Sequence, residues 1–292
     1  MLNQIRLENL LLLDVETATE KPNYEALSAE WQACWNRKAQ YFREDWTPAE
    51  AYQQKASLYS EFSKVVCISV AYVRKGADGR FTLRVKSFSG NDEKQILEDF
   101  ANLIGNYYNH RRHLFSGHNV REFDLPFVSR RMVTNRVKLP FKLNQSGPKS
   151  FPIAAVDTMQ IWKFGEHKNY TSLKLLKNVL GIEYPEQLGD GSMVNKMYWE
   201  EENIEGIVEL CEKDVITVGQ VLMHFKGFDL FVADDIEFSK SSQDTAPEET
   251  YYEQESPSDD VSEEGISDED DSEKPLFNDD DDDDIDESYT SM

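Results

Sequence analysis

The residues of this chain best suited to chemistry are Asp14 and Glu16, in the run Leu11-Leu12-Leu13-Asp14-Val15-Glu16-Thr17. An apolar run of this kind predicts a buried strand, and side chains two apart on a strand point to one face. Two carboxylates then converge at the strand end. Burying one ionised carboxylate is costly, and burying two together is costlier unless a cation neutralises them. Mg²⁺ or Mn²⁺ suits an all-oxygen ligand set whose remaining positions are filled by water or substrate phosphate. The competing reading is an Asp-x-Glu pair that faces water and binds nothing. Three further acids stand out: Asp124, after a Gly117-His118-Asn119 turn; Asp157, in Val156-Asp157-Thr158; and Asp214, in Glu212-Lys213-Asp214-Val215. Taken alone, Asp157 reads as a helix N-cap or as a support of the metal shell from outside, and Asp214 as an ordinary exposed residue.

Positioning these acids requires a regular framework, and the rest of the chain supplies the patterns for one. Residues 18–62 predict a largely helical insertion. Leu27, Trp31 and Trp35 recur at helical spacing, and Thr47-Pro48-Ala49-Glu50 is a capping-box helix start. Its aromatics read as packing groups or, alternatively, as a base-stacking platform. Val65–Val73 and Phe81–Phe88 flank the turn residues Lys75-Gly76-Ala77-Asp78-Gly79 and predict an antiparallel hairpin. Asp92–Tyr108 predicts an amphipathic helix, and His113–Gly117 a strand running into a polar turn. Another helix carries Arg130 and Arg131. Ser172–Gly181 predicts a further amphipathic helix, on which Lys174 and Lys177, with the nearby Lys168, line a nucleic-acid rim or simply face solvent. Ile204–Phe225 predicts a long helix bearing Asp214.

Charge divides the chain. From Asp234 onward there are 25 acidic residues against Lys240 and Lys274, whereas residues 1–233 hold 30 acidic and 29 basic side chains. The whole-chain net charge of −24 therefore belongs to the C-terminal part, and a nearly neutral domain over 1–233 is free to carry a basic face. Residues 234–292, with the unbroken run Asp279–Asp284, predict a disordered acidic tail. That tail serves solvation, or it mimics nucleic acid by contacting a basic partner or its own active site. Three cysteines without a CxxC pair or a histidine cluster argue against a disulfide framework and a zinc site. The absence of a signal-peptide pattern and of any ~18-residue apolar run predicts a cytoplasmic protein with no membrane partner.

Taken in order, Leu12-Leu13-Asp14-Val15-Glu16-Thr17, Ser116-Gly117-His118-Asn119-Val120-Arg121-Glu122-Phe123-Asp124 and Cys211-Glu212-Lys213-Asp214-Val215 resemble the three motifs of the DEDD superfamily of 3′–5′ exonucleases. The chain is most similar to predicted exonucleases related to the proofreading domain of family B DNA polymerases, over about residues 8–226. The resemblance implies an α/β fold, a ribonuclease H-like mixed sheet flanked by helices. It also implies a metal-dependent 3′–5′ exonuclease that hydrolyses phosphodiester bonds of DNA, single-stranded DNA above all and RNA as an alternative, with two Mg²⁺ or Mn²⁺ ions. By that resemblance Asp14 bridges both ions, Glu16 and Asp214 hold the ion that activates water, and Asp124 positions the second. Asn119 contacts substrate or only forms the turn, and Thr17 and Lys174 are further candidates for substrate contact.

One departure stands out. Members of the tyrosine branch of this superfamily have a Tyr four residues before the last Asp, and the histidine branch has a His five before it. Here those positions are Leu210 and Glu209. Leu210 has no hydrogen-bonding group, whereas Glu209 is a carboxylate that serves as a water-orienting base if it faces the site. Tyr170 and His167 are alternatives from another loop. A second function follows from Leu210: a catalytically weakened nuclease-fold protein that binds nucleic acid or scaffolds partners through its tail.

Overall fold

In the computed structural model, the described residues are 5–42, 45–144, 154–166, 170–186 and 191–239. They belong to one compact unit, Met1–Pro247. The tail beyond Ser239, together with His167 and Lys168, lies outside the described residues.

Its frame is a mixed six-stranded sheet in the order β5-β4-β1-β2-β3-β6. The strands are β1 (Leu10–Thr19), β2 (Ser63–Lys75), β3 (Phe81–Ser89), β4 (Leu114–Gly117), β5 (Ala155–Asp157) and β6 (Ile236–Phe238). β1 pairs antiparallel with β2, β2 antiparallel with β3, and the remaining neighbours pair in parallel. This is the ribonuclease H-like α/β arrangement that the motifs imply. The predicted hairpin is β2–β3.

β1 is buried on both sides, which is why its sequence reads as an apolar run and not as a clean alternation. Leu11, Leu13 and Val15 enter one core, against α3 (Glu93–Tyr107) and α4 (Asp124–Thr134). Leu10 and Leu12 enter the other, against α6 (Leu173–Val179) and α8 (Ile204–Lys226). Strand alternation therefore sends Asp14 and Glu16 towards α8. α8 lays Ile207, Cys211, Val215, Val218 and Leu222 on the sheet, starts on an Asn203 cap and stops at Gly227, whose φ of 68° favours glycine.

The insertion contains α1 (Ala29–Ala39) and α2 (Pro48–Lys55), the latter with the full Thr47–Glu50 capping box. It has its own core, in which the fully buried Trp35 meets Tyr52 and Phe62 edge-on at ring distances of 5.4 and 4.9 Å. Most of these aromatics are thus packing groups, although Trp31 is exposed. α5 (Thr158–Lys163) and α7 (Val194–Trp199) complete the helices used below.

Three boundaries differ from the sequence expectation. Asp14 and Glu16 lie within β1, because the strand continues to Thr19 through an irregularity between Glu16 and Thr17. The insertion accordingly begins after Thr19. The tail boundary at 233 falls short as well: Ile236–Phe238 pairs with Leu83–Val85 as β6, and Asp235 is tied to Arg80 at 2.5 Å. Acidic composition hides this strand because edge pairing uses main-chain groups and buries only Ile236.

Candidate active site

The four motif carboxylates meet where β1, α4 and α8 converge. Ligand oxygens of Asp14, Glu16 and Asp214 lie within 4.8 Å of one another. Asp124 is the first residue of α4 and is 4% exposed. It falls outside that tight trio but acts electrostatically on Asp14 and on Glu16.

Electrostatics sets this cluster apart. Burial, then the charge of Asp124, pushes the Asp14 carboxyl up to about 8, against a hydrogen bond from the Cys211 thiol that lowers it. Burial and the Asp14 charge raise Asp214 to about 8. Asp124 rises to about 7 through burial and the charges of Asp157 and Asp214, opposed by the main-chain N–H groups of Asp124 and Val15. Glu16 lies well above its ordinary range, through burial and then the charges of Asp14 and Asp214. The charges acting on these acids are like charges, and Oδ1 of Asp214 is buried without a hydrogen-bond partner. Buried carboxylates in such number, with few donors and no counter-cation among the described residues, form a ligand set for a hard divalent cation, and the donor chemistry fits one.

Neighbouring groups hold the carboxylates in place. The Cys211 thiol lies 3.3 Å from the Asp14 carbonyl oxygen and 3.4 Å from its Oδ2. Cys34, Cys67 and Cys211 are all free thiols. Gly117 lets β4 approach β1: a Cβ there would stand 2.9 Å from the Leu13 carbonyl oxygen and 2.7 Å from Val120 Cβ. Asp157 caps α5, as its sequence context predicts, by accepting from the N–H groups of Met159 and Gln160. It also accepts from Asn119 N at 3.0 Å and Arg121 N at 3.2 Å. This second role joins the turn ahead of Asp124 to α5 and identifies the partners, Asn119 and Arg121, that the sequence could not. Only the fold brings residues 119 and 157 together.

The remaining sequence candidates separate. Asn119 sits in the turn with φ 65°, and its Oδ1 is buried without a partner. Asn is among the few residues that adopt this left-handed conformation readily, so the geometry fits a turn former whose amide oxygen is left open. Thr17 is buried and its hydroxyl donates to the Ser57 carbonyl at 2.8 Å, which ties β1 to the insertion. Lys174 is exposed on α6, whereas Lys177 is buried and its Nζ donates to the Glu183 carbonyl. Leu210 packs against the cluster of Ala18, Val66, Met197 and Ile207. Glu209 is not brought to the carboxylates. It lies about 140° around α8 from Asp214, exposed and ion-paired with Lys213 at 2.5 Å.

A family model described as a predicted 3′–5′ exonuclease related to the exonuclease domain of PolB matches residues 56–229. The chain belongs to that family. The matched span includes Asp124 and Asp214 but begins after β1, so the Asp14–Glu16 half of the cluster is contributed from outside it. Among solved structures, the family B DNA polymerase from the hyperthermophilic archaeon Pyrobaculum calidifontis is similar at a TM-score of 0.46 and 17% identity. That likeness covers 74% of this chain and 24% of the polymerase, so the chain spans about a quarter of the polymerase's length. No curated protein sequence matches the chain. No helix among the described residues is long and apolar enough to cross a membrane.

Proposed function

We propose that this member of the predicted exonuclease family is an active, metal-dependent 3′–5′ exonuclease acting on single-stranded DNA. The observation that carries the reading is the trio of Asp14, Glu16 and Asp214. Their ligand oxygens lie within 4.8 Å, and the Asp214 oxygen has no partner. Four acids kept together with no cation beside them among the described residues are electrostatically costly, and an inactive fold would gain nothing from them.

In this reading Asp14, Glu16 and Asp214 hold Mg²⁺ or Mn²⁺, with Asp124 helping to hold a second ion. Divalent ions bound there lower the pKa of the attacking water and neutralise charge on the leaving oxygen. The chain's own contribution is positional. Cys211 fixes Asp14, Asp157 fixes the turn before Asp124, and burial keeps bulk water from screening the acids. Asn119 offers an unsatisfied amide oxygen for substrate or water, and Lys174 an exposed ammonium for backbone phosphate. A single strand suits the site because a terminal nucleotide has to reach buried carboxylates.

The second reading, a nuclease fold that has lost most catalytic power and binds nucleic acid or scaffolds partners, draws on Leu210, whose side chain packs in an apolar cluster. One assay separates the two. End-labelled single-stranded DNA and RNA are incubated with Mg²⁺, Mn²⁺ or EDTA, with the Asp14→Ala protein alongside. Stepwise 3′ shortening that needs a metal and Asp14 supports the enzyme. No shortening with any metal, alongside retained strand binding, supports the binding protein.

A further inference from the structure

The helical insertion, the chain just past β1 and α4 enclose a cleft of about 800 Å³, within the size range of pockets that hold an organic ligand. Its apolar lining includes Trp31 on α1, Val133 on α4, and Leu139 and Leu143 beyond it. Trp31 is 44% exposed and Val133 63%, so this apolar surface is open to solvent. The indole is nevertheless braced: the Phe62 ring lies 5.5 Å away and nearly perpendicular, at 84°.

Lys21 and Arg130 also line the cleft. Both are exposed, and among the described residues neither enters an ion pair. The charge of Glu20 is met by Arg131 at 3.6 Å, which leaves Glu61 against two open cations. Two elements connect the cleft to the carboxylates. Asp124 begins α4, and the lining residues Ser129 to Thr134 follow along that helix, about 8–15 Å away at its rise per residue. Glu16 lies in β1, and Glu20 comes just after the strand ends, about 13 Å on at the rise of a strand. At about 3.4 Å per stacked nucleotide, those separations amount to two to four nucleotides. Lys21 and Trp31 precede residue 56, so the likeness to the exonuclease family does not supply this cleft.

We propose that this cleft binds the single strand upstream of the scissile bond, with a nucleobase stacked on Trp31 and backbone phosphates on Lys21 and Arg130. This rests on the exonuclease reading above and deepens it. A braced, exposed indole offers a π-face to any of the bases, which suits an enzyme that removes nucleotides in turn without regard to sequence. The two open cations match a polyanion, and a neutral or basic peptide would leave them unmatched. No bond is made or broken in the cleft; it holds the strand while successive 3′ ends enter the carboxylate site.

The test measures the affinity of the full chain for a labelled single strand of about 12 nucleotides with Ca²⁺, and its turnover with Mn²⁺. Trp31→Ala and Trp31→Leu should each weaken affinity and raise KM about tenfold, with kcat within about twofold, whereas Trp31→Phe keeps a π-face and should stay within about threefold. Hydrolysis of a dinucleotide, too short to enter the cleft, should be unchanged in all three. Arg130→Gln, at an exposed position, should flatten the slope of log affinity against log salt by about 0.7, equally for every base sequence. Affinity of Trp31→Ala within about twofold of the unaltered protein, or an unchanged slope in Arg130→Gln, overturns the proposal and leaves the cleft to a protein partner; strand shortening by the unaltered protein then keeps the exonuclease reading standing. Dinucleotide hydrolysis that falls as far as strand hydrolysis in Trp31→Ala assigns the ring to support of the fold and overturns the proposal equally. Strand binding that depends on Trp31 in a protein that cleaves nothing with any divalent ion keeps the cleft as a single-strand site and overturns the exonuclease reading alone.

Discussion

Two buried acidic centres share helix α4, through Asp124 in one and Arg131 in the other, and the chain treats them in opposite ways. Glu93, at the start of α3, is as buried as Glu16, but its carboxylate is fully satisfied. Arg131 reaches it through Nε at 2.7 Å and through a second nitrogen at 2.6 Å, Asn135 Nδ2 lies at 2.8 Å and Val65 N at 2.7 Å. Arg131 also donates to the Ser60 carbonyl, which closes the network. The Asp14–Glu16–Asp124–Asp214 centre has carboxylates as its charged neighbours and an Asp214 oxygen with no partner. The first centre is complete within the chain and serves stability. The second has no counter-charge among the described residues, which is why it, and not the first, is the candidate for a bound cation.

The contrast can be broken at either centre. The largest effect expected is on activity. Asp14→Ala should lower nuclease turnover by about 10³-fold or more without lowering the melting temperature, because it removes a charge that raises its neighbours. A turnover within tenfold of the unaltered protein would show that the cluster is not the reaction centre. Next comes stability: Arg131→Ala leaves Glu93 buried and unpaired, a loss of about 3–5 kcal/mol. Thermal and urea unfolding read that loss, and a loss below about 1 kcal/mol would refute the view that this pair is structural.

Smaller, but specific to the incomplete centre, is the response to pH and metal. The folded carboxyls of Asp14 and Asp214 titrate near 8 and Asp124 near 7, against an unfolded value of 3.8. Between about pH 4 and 8 the folded state therefore holds more protons than the unfolded chain, so stability in EDTA falls as pH rises through that window. Mn²⁺ at about 100 times its Kd should add about 2.7 kcal/mol at pH 8. Melting curves over pH 4–9 with EDTA or Mn²⁺ check both, and curves insensitive to metal would contradict a cation site. Least of all, Glu209→Gln should change turnover by less than about twofold and stability by less than about 1 kcal/mol, since it removes an exposed ion pair. A large loss of turnover would instead return Glu209 to the site as the water-orienting group.

Much of the frame was legible before any coordinates. The β2–β3 hairpin, the α3 and α8 helices and the α2 capping box are written in local periodicity and capping chemistry, which depend on residues a few positions apart. The strand β6 was not legible, because an edge strand within an acidic segment rests on main-chain pairing to β3. Lys177 shows the same limit: amphipathic spacing cannot tell a rim lysine from one that lies down to reach the Glu183 carbonyl.

For the site itself the division is sharper. Side-chain types singled out Asp14 and Glu16, because carboxylates inside an apolar run need a partner whatever the fold, and the order of the three motifs added Asp124 and Asp214. Only the tertiary structure decided which acids find that partner within the chain. Glu93 meets Arg131 across 38 residues of sequence, whereas Asp14 and Asp214, two hundred positions apart, meet each other. Like charge brought to like charge is a property of packing, and it is what turns Leu13-Asp14-Val15-Glu16 from an acidic strand into a site.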